Sequence, residues 1–170
     1  MNSLAETLKS WIFALWRLLP FPLSVQWRLV WLLVPKFMVG AVAVILNEEG
    51  QVLIFHHTYR KDAPWGLPGG WLNRDEESFD TIVREMHEEA GITVEVERLL
   101  YVGTSKQYPR IDIAYLCRHV AGEFRPCAEV SEARFVDLET LEEEMEPGHY
   151  DLLKNALEDA GYTGKSTESF

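Results

Sequence analysis

The sequence predicts an α/β sandwich preceded by a helical hairpin at the N-terminus. Three observations carry this reading. A β-branched apolar run at 36–46, KFMVGAVAVIL, is followed by Asn47-Glu48-Glu49-Gly50 and a second run from Gln51 to Tyr59, the pattern of two strands joined by a tight turn. Residues 78–90 then change to helical spacing, with Phe79, Ile82, Val83, Met86 and Ala90 on one stripe. Near the end, 149–160 is again amphipathic, with Leu152, Leu153, Ala156 and Leu157 inward. Strands with a helix between them and a helix after them bury their apolar faces as stacked layers. At 170 residues and 47% hydrophobic content, the chain is long enough for one domain with a full core. The predicted organisation is a helical segment over 1–35, one main domain over 36–163 and a mobile tail over 164–170.

The first 36 residues differ in composition from the rest. Lys9, Arg17, Arg28 and Lys36 stand against a single acid, Glu6, which makes +3 and leaves −14 for the remainder of a chain whose total is −11. The segment also holds Trp11, Trp16, Trp27 and Trp31, four of the six tryptophans. Leu4, Leu8, Trp11, Leu15 and Leu18 recur at helical spacing, Pro20 and Pro22 interrupt it, and Val25 to Val34 resumes it. Arg17 breaks the apolar core that a signal peptide needs, and no small-residue cleavage site follows. Arg17, Arg28 and the two prolines also argue against a spanning helix. Two readings stay open: a hairpin on a membrane surface, or a hairpin packed on protein, as in a homodimer formed through these helices.

Beyond the first two strands lies Trp65-Gly66-Leu67-Pro68-Gly69-Gly70-Trp71, a turn in which glycine permits close backbone approach. Trp65 is a candidate stacking wall for a substrate, whereas Trp71 reads as a packing anchor. The helix over 78–90 has Ser78 as its expected N-cap, Asp80 in its first turn, where negative charge is favoured, and Gly91 where a left-handed residue ends it. Val94 to Thr104 and Ile111 to Arg118 read as strands around a loop with Lys106, Tyr108 and Arg110. Ala133 to Val136 is a short strand, Asp137 to Glu144 a brief helical turn, and Pro147-Gly148 precedes the last helix.

The chemistry concentrates in GWLNRDEESFDTIVREMHEEAGI, residues 70–92. Positions i, i+3 and i+4 of a helix are neighbours, so Glu85, Glu88 and Glu89 share a side. Three carboxylates this close repel one another, an arrangement that a divalent cation relieves: Mg²⁺ takes oxygen ligands from carboxylates, water and substrate phosphates. A solvated acidic face would account for Glu95 or Glu97, but not for acids grouped beside Arg84 behind a glycine-rich approach.

The stretch resembles the signature box of the Nudix hydrolases, and each defined position of that pattern is filled, by Gly70, Glu76, Arg84, Glu85, Met86, Glu88, Glu89, Gly91 and Ile92. The box covers 23 residues, and the surrounding features agree over roughly residues 37 to 160. The resemblance implies a mixed sheet between helices and Mg²⁺-dependent cleavage, by water, of a diphosphate linked to another moiety, with Mn²⁺ as a substitute metal. It implies Glu85, Glu88 and Glu89 as metal ligands, Arg84 holding a carboxylate by a bidentate pair, and Gly70 and Glu76 as support. The base would be Glu89 or a glutamate of a later loop. In CAEVSEARFVDLETL, Glu129 matches that place better than Glu132 and is the candidate fourth ligand or base.

Arg60, Lys61, Lys106 and Arg110 are loop cations suited to terminal phosphates, with Arg60, Lys106 and Arg110 the candidate substrate contacts. His56, His57 and His87 read as structural histidines. A net charge of −11 and a pI near 4.9 argue against duplex nucleic acid as partner, but not against a small diphosphate bound through metal. Cys117 and Cys127 lack zinc-site spacing, and a cytoplasmic setting, with peripheral contact to the inner face of a membrane, is the expectation. The expected substrates are nucleotides, ADP-ribose or nucleotide sugars. The alternatives are a nucleotide-sensing module without catalysis, which would be expected to lose box glutamates, and a membrane-associated hydrolase of a prenyl diphosphate.

Overall fold

The computed structural model describes residues 7, 10, 11, 14, 22–105, 108–137, 140, 141, 145 and 147–159. The chain forms two compact units, Met1–Lys36 and Phe37–Phe170. In the first, helix α1 spans Leu23–Leu33. Pro22, with φ fixed near its helical value, precedes it, and Val34 leaves it in an extended conformation, as the residue before Pro35 must. No residue of α1 is buried. Most of the expected first helix lies outside the described residues, as do the tail 164–170 and most of the turn expected over 137–144.

The second unit contains β1 (Met38–Ile45), β2 (Val52–His57), β3 (Trp65–Gly66), β4 (Gly69–Trp71), α2 (Ser78–Ala90), β5 (Thr93–Thr104), β6 (Arg110–Ala121), β7 (Val130–Val136) and α3 (Pro147–Asp159). A four-stranded mixed sheet has the order β4-β1-β6-β5, and a three-stranded sheet the order β3-β2-β7. β1 runs parallel to β6 and antiparallel to β4.

Alternation along β1 divides the core. Ala41, Ala43 and Ile45 meet Ile82, Met86 and Ala90 of α2, while Val42 and Val44 meet Leu152, Leu153, Ala156 and Leu157 of α3. Successive strand residues face opposite sides, so β1, apolar at every position from Ala41 to Ile45, is covered by a helix on each face. Ile82 and Met86 are fully buried, each contributing about 2 kcal/mol through removal from water.

The turn after β1 is present: the Asn47 amide donates to the Gln51 carbonyl at 3.0 Å and the Gln51 amide to Asn47 Oδ1 at 2.8 Å. It does not produce a paired hairpin. Only the bridge Leu46 to Val52 forms before the strands diverge into different sheets, because both edges of β1 are already taken by β4 and β6. The glycine-rich turn contains two short strands, β3 and β4, that sequence periodicity did not reveal. Ser78 is not the N-cap of α2. Glu77 occupies that position without a side-chain cap, and Ser78 Oγ bonds the Tyr115 hydroxyl at 2.6 Å. Gly91 closes the helix at φ 68°, its amide reaching back to the His87 carbonyl.

Candidate active site

Helix α2 carries its apolar stripe into the sheet, which turns Arg84, Glu85 and Glu89 toward the β4 edge. Arg84 organises this side. Its Nε donates to Glu76 Oε1 at 2.8 Å and its Nη2 to Glu76 Oε2 at 3.1 Å, a forked pair. Its Nη1 donates to Glu85 Oε1 at 2.7 Å and to Glu88 Oε2 at 3.1 Å, and Nη2 also reaches the Trp71 carbonyl at 3.2 Å. Glu76 accepts further bonds from Thr81 Oγ1 and the Asn73 amide, each 3.0 Å. Bonding to Arg84 and then to Asn73 holds its carboxyl at about 2, well below the usual range, and the same contacts raise the Arg84 guanidinium.

Glu89 is the opposite case. It is buried, and its Oε2 has no hydrogen-bond partner among the described residues. Burial pushes its carboxyl up to about 7, and the charges of Glu85 and Glu129 add to the rise, while the Gly69 backbone opposes it. Glu129 arrives from the turn before β7. Its amide and that of Val130 both donate to Cys127 Sγ at 3.3 Å, and its carbonyl accepts from the Thr58 amide at 2.9 Å. The thiol of Cys127 thus shapes the turn that delivers Glu129.

These groups border a cavity of about 430 Å³. The acids Glu85, Glu89, Glu129 and Asp112 line it, and so do Arg60, Arg84, Arg110 and His149. Arg110 Nε lies 2.8 and 3.0 Å from the two carboxylate oxygens of Asp112, which also lines the cavity. Arg60 Nη1 is buried without a hydrogen-bond partner. The backbone of Gly69 and Gly70 and the rings of Tyr59 and Trp71 complete the border.

Of the sequence candidates, Gly70, Arg84, Glu85, Glu89, Glu129, Arg60 and Arg110 come together here. Lys106 lies outside the described residues. Glu76 stands behind the site, acting through Arg84. Glu88 is four residues from Arg84, turns toward it, and stays 59% exposed rather than lining the cavity. Glu132 belongs to β7 itself, paired with His56. The two tryptophans exchange their expected roles. Trp65 does not line the cavity; it packs edge-on against His56 and under the Arg134 guanidinium, 4.0 Å from the ring centre. Trp71 does line it and is half exposed. Asp112 and His149 were missed, since one sits in an apolar strand and the other on a helix far along the chain. His149 Nδ1 accepts from the Leu67 amide at 3.0 Å, which ties α3 to the glycine-rich turn.

Among the described residues no three His, Cys, Asp or Glu side chains form a ready ligand cluster. The donor set nevertheless suits a hard divalent cation. A buried carboxylate with an unpaired oxygen, repelled by two neighbouring carboxylates, is in a position that a cation relieves.

The family whose sequence model matches is the NUDIX domain, over residues 36–156. The chain belongs to the NUDIX family. It is a Nudix hydrolase, a pyrophosphohydrolase that acts on pyrophosphate bonds. It is similar to a MutT-like protein of Streptomyces ambofaciens, 28% identical over 127 residues that cover 75% of this chain and 81% of the relative. It is also similar to an ADP-ribose pyrophosphatase of Methanocaldococcus jannaschii, 33% identical over 111 residues, 59% of this chain and 64% of the relative. Among solved structures it resembles an ADP-ribose pyrophosphatase from Streptococcus suis, with a TM-score of 0.63 and 28% identity, covering 76% of this chain and 96% of that one.

Proposed function

We propose that this Nudix hydrolase uses Mg²⁺ to split the diphosphate of a nucleoside diphosphate linked to a second group, with ADP-ribose the first substrate to try. The observation that carries the reading is Glu89: a buried carboxylate with an unpaired oxygen, lining a cavity that Arg60 and Arg110 also line. Glu85, Glu89 and Glu129 would hold the metal, and Glu88 would join by exchanging its contact to Arg84. Mn²⁺ would substitute. Bound there, the metal supplies the positive charge that a diphosphate needs and a more acidic water.

The protein's own groups do the rest. Arg60 and Arg110 take phosphate charge within the cavity, and the Arg110 pair with Asp112 keeps that guanidinium in register. Trp71 and Tyr59 offer ring faces to a planar group at the rim. Arg84 anchors Glu85 so that the acidic group keeps its shape. Either Glu89 or Glu129 takes a proton from the attacking water. The water oxygen bonds to one phosphorus as the bridging P–O bond breaks, leaving two phosphate monoesters. A volume of about 430 Å³ is in the range of small-ligand sites, and the names of the Methanocaldococcus and Streptococcus relatives support ADP-ribose.

The test is hydrolysis, with Mg²⁺ and with Mn²⁺, of ADP-ribose, nucleotide sugars, nucleoside triphosphates and prenyl diphosphates, with products resolved chromatographically. Turnover of a nucleoside diphosphate-linked compound that stops with chelator and returns with metal supports the proposal. Turnover of prenyl diphosphates alone, or metal binding without turnover of any compound, overturns the substrate assignment.

A further inference from the structure

The N-terminal unit bears a feature that diphosphate hydrolysis does not use. On α1, Leu23, Trp27, Val30 and Trp31 follow one another at i, i+4, i+7 and i+8, a single stripe. All four are exposed, at 73%, 72%, 39% and 69%, and Leu32 and Leu33 beside them are exposed at 67% and 77%. Isolated apolar residues are ordinary on a protein surface, but a continuous stripe with two tryptophans marks a contact surface. Lys36 adds a second detail. Its Nζ stands 4.6 Å from the centre of the Trp31 ring and donates to the Leu32 carbonyl at 3.2 Å. An ammonium lifted along an apolar face beside an indole is how cations and tryptophans share the boundary between water and lipid.

Charge selects the partner. The first 36 residues carry +3 while the remainder carries −14. Stripe-to-stripe pairing of two copies would set +3 against +3. An anionic bilayer meets the segment with opposite charge, each basic residue near such a surface adding attraction. Length decides how the helix sits. Eleven residues rise about 16 Å, half of a bilayer's hydrocarbon core, and no helix among the described residues is long and apolar enough to cross.

We propose that Met1–Lys36 docks this hydrolase on an anionic lipid surface. Helix α1 lies in the plane of the interface, with Leu23, Trp27, Val30 and Trp31 in the acyl boundary. Arg28 and Lys36 meet the headgroups.

The experiment is flotation of the full chain with vesicles of phosphatidylcholine alone and of phosphatidylcholine with one-third phosphatidylglycerol, for the parent and a Trp27→Ala/Trp31→Ala variant. The parent is expected to float with the anionic vesicles and to release as salt rises. Its tryptophan emission should shift to the blue on binding. The double variant is expected to bind at least about tenfold more weakly, with an unchanged urea midpoint of the catalytic unit and unchanged hydrolysis of a soluble substrate, since neither residue borders the cavity. Equal binding by the variant, or no binding to anionic vesicles, overturns the proposal. So does a lipid-free dimer that the variant converts to monomer, which would assign the stripe to a second copy.

Discussion

The carboxylate of Glu85 lies against Gly70, in space that any side chain at position 70 would fill. The strand edge and the helix approach so closely here that only hydrogen fits between them, and Arg84 Nη1 fixes the carboxylate from the other side at 2.7 Å. A Gly70→Ala change is therefore expected to swing Glu85 away rather than to unfold β4, because the obstructed atoms are the end of a flexible side chain. Activity should fall by about 10²-fold, the scale of a displaced reacting group, with a stability loss of about 1 kcal/mol. Steady-state rates and urea titration separate the two; equal loss of both would place the role of Gly70 in folding.

Glu88 and Glu89 are adjacent glutamates with opposite surroundings, so their glutamine variants should differ. Glu89→Gln is expected to lower turnover on the order of 10²–10⁴-fold while leaving the metal-free protein at least as stable, since it removes a buried charge without a partner. Glu88→Gln, at an exposed carboxylate that must leave Arg84 to reach the metal, should cost less, about tenfold. Parent-like turnover of Glu88→Gln would remove Glu88 from the metal set.

Addition of Mg²⁺ should raise the melting temperature of the parent. Saturation at a hundredfold excess over Kd corresponds to about 3 kcal/mol. The rise should shrink in Glu89→Gln and in Glu129→Gln. Unchanged rises would remove these carboxylates from the metal set.

Arg84→Lys keeps the charge but loses the fork that grips Glu76 through Nε and Nη2. An ammonium cannot hold Glu76, Glu85 and Glu88 together. A fall in kcat of at least about tenfold with little change in KM is expected, read from initial rates; parent-like kinetics would reduce the network to a surface ion cluster.

His57 is buried, and burial, with Arg60 and His56 nearby, lowers its pKa from 6.5 to about 4. His149 is lowered for the same leading reason, with Arg60, His57 and Arg110 adding to it. The unfolded chain binds protons at these residues first, so stability is complete above pH 6.5 and declines as pH falls toward 4. For His57 the full effect is about 3 kcal/mol. Urea titrations at pH 7 and pH 5 should show the decline, and His57→Gln should flatten it. A pH-independent midpoint would mean that both histidines ionise freely in the fold.

The strands, the box helix and the last helix were legible because their signals are local: an unbroken apolar run for β1, which is buried on both faces, and a stripe of period 3.6 for α2 and α3. What failed to read were features set by partners distant in the chain. β1 and β2 look like a hairpin locally, yet they part because β4 and β6 already occupy both edges of β1. Ser78 is a capping residue by type, but Tyr115, in β6, takes its hydroxyl. Cys127 carried no motif, and its bonds to the amides of Glu129 and Val130 appear only in the folded turn.

By itself the sequence determined the acidic helix, its stripe, its stop at Gly91 and the set of carboxylates near a glycine-rich turn, because spacing along one helix is a local geometric property. Only the tertiary structure decided which acids face the cavity. Glu85 and Glu89 do, Glu88 is drawn to Arg84, and Glu129 joins them from the turn before β7, about forty residues on. It also exchanged Trp65 for Trp71 at the rim and brought in Asp112 and His149. Those choices depend on how β4, β6 and α3 close around one space, and that closure follows from burying two apolar faces of one sheet rather than from any pattern within a single segment.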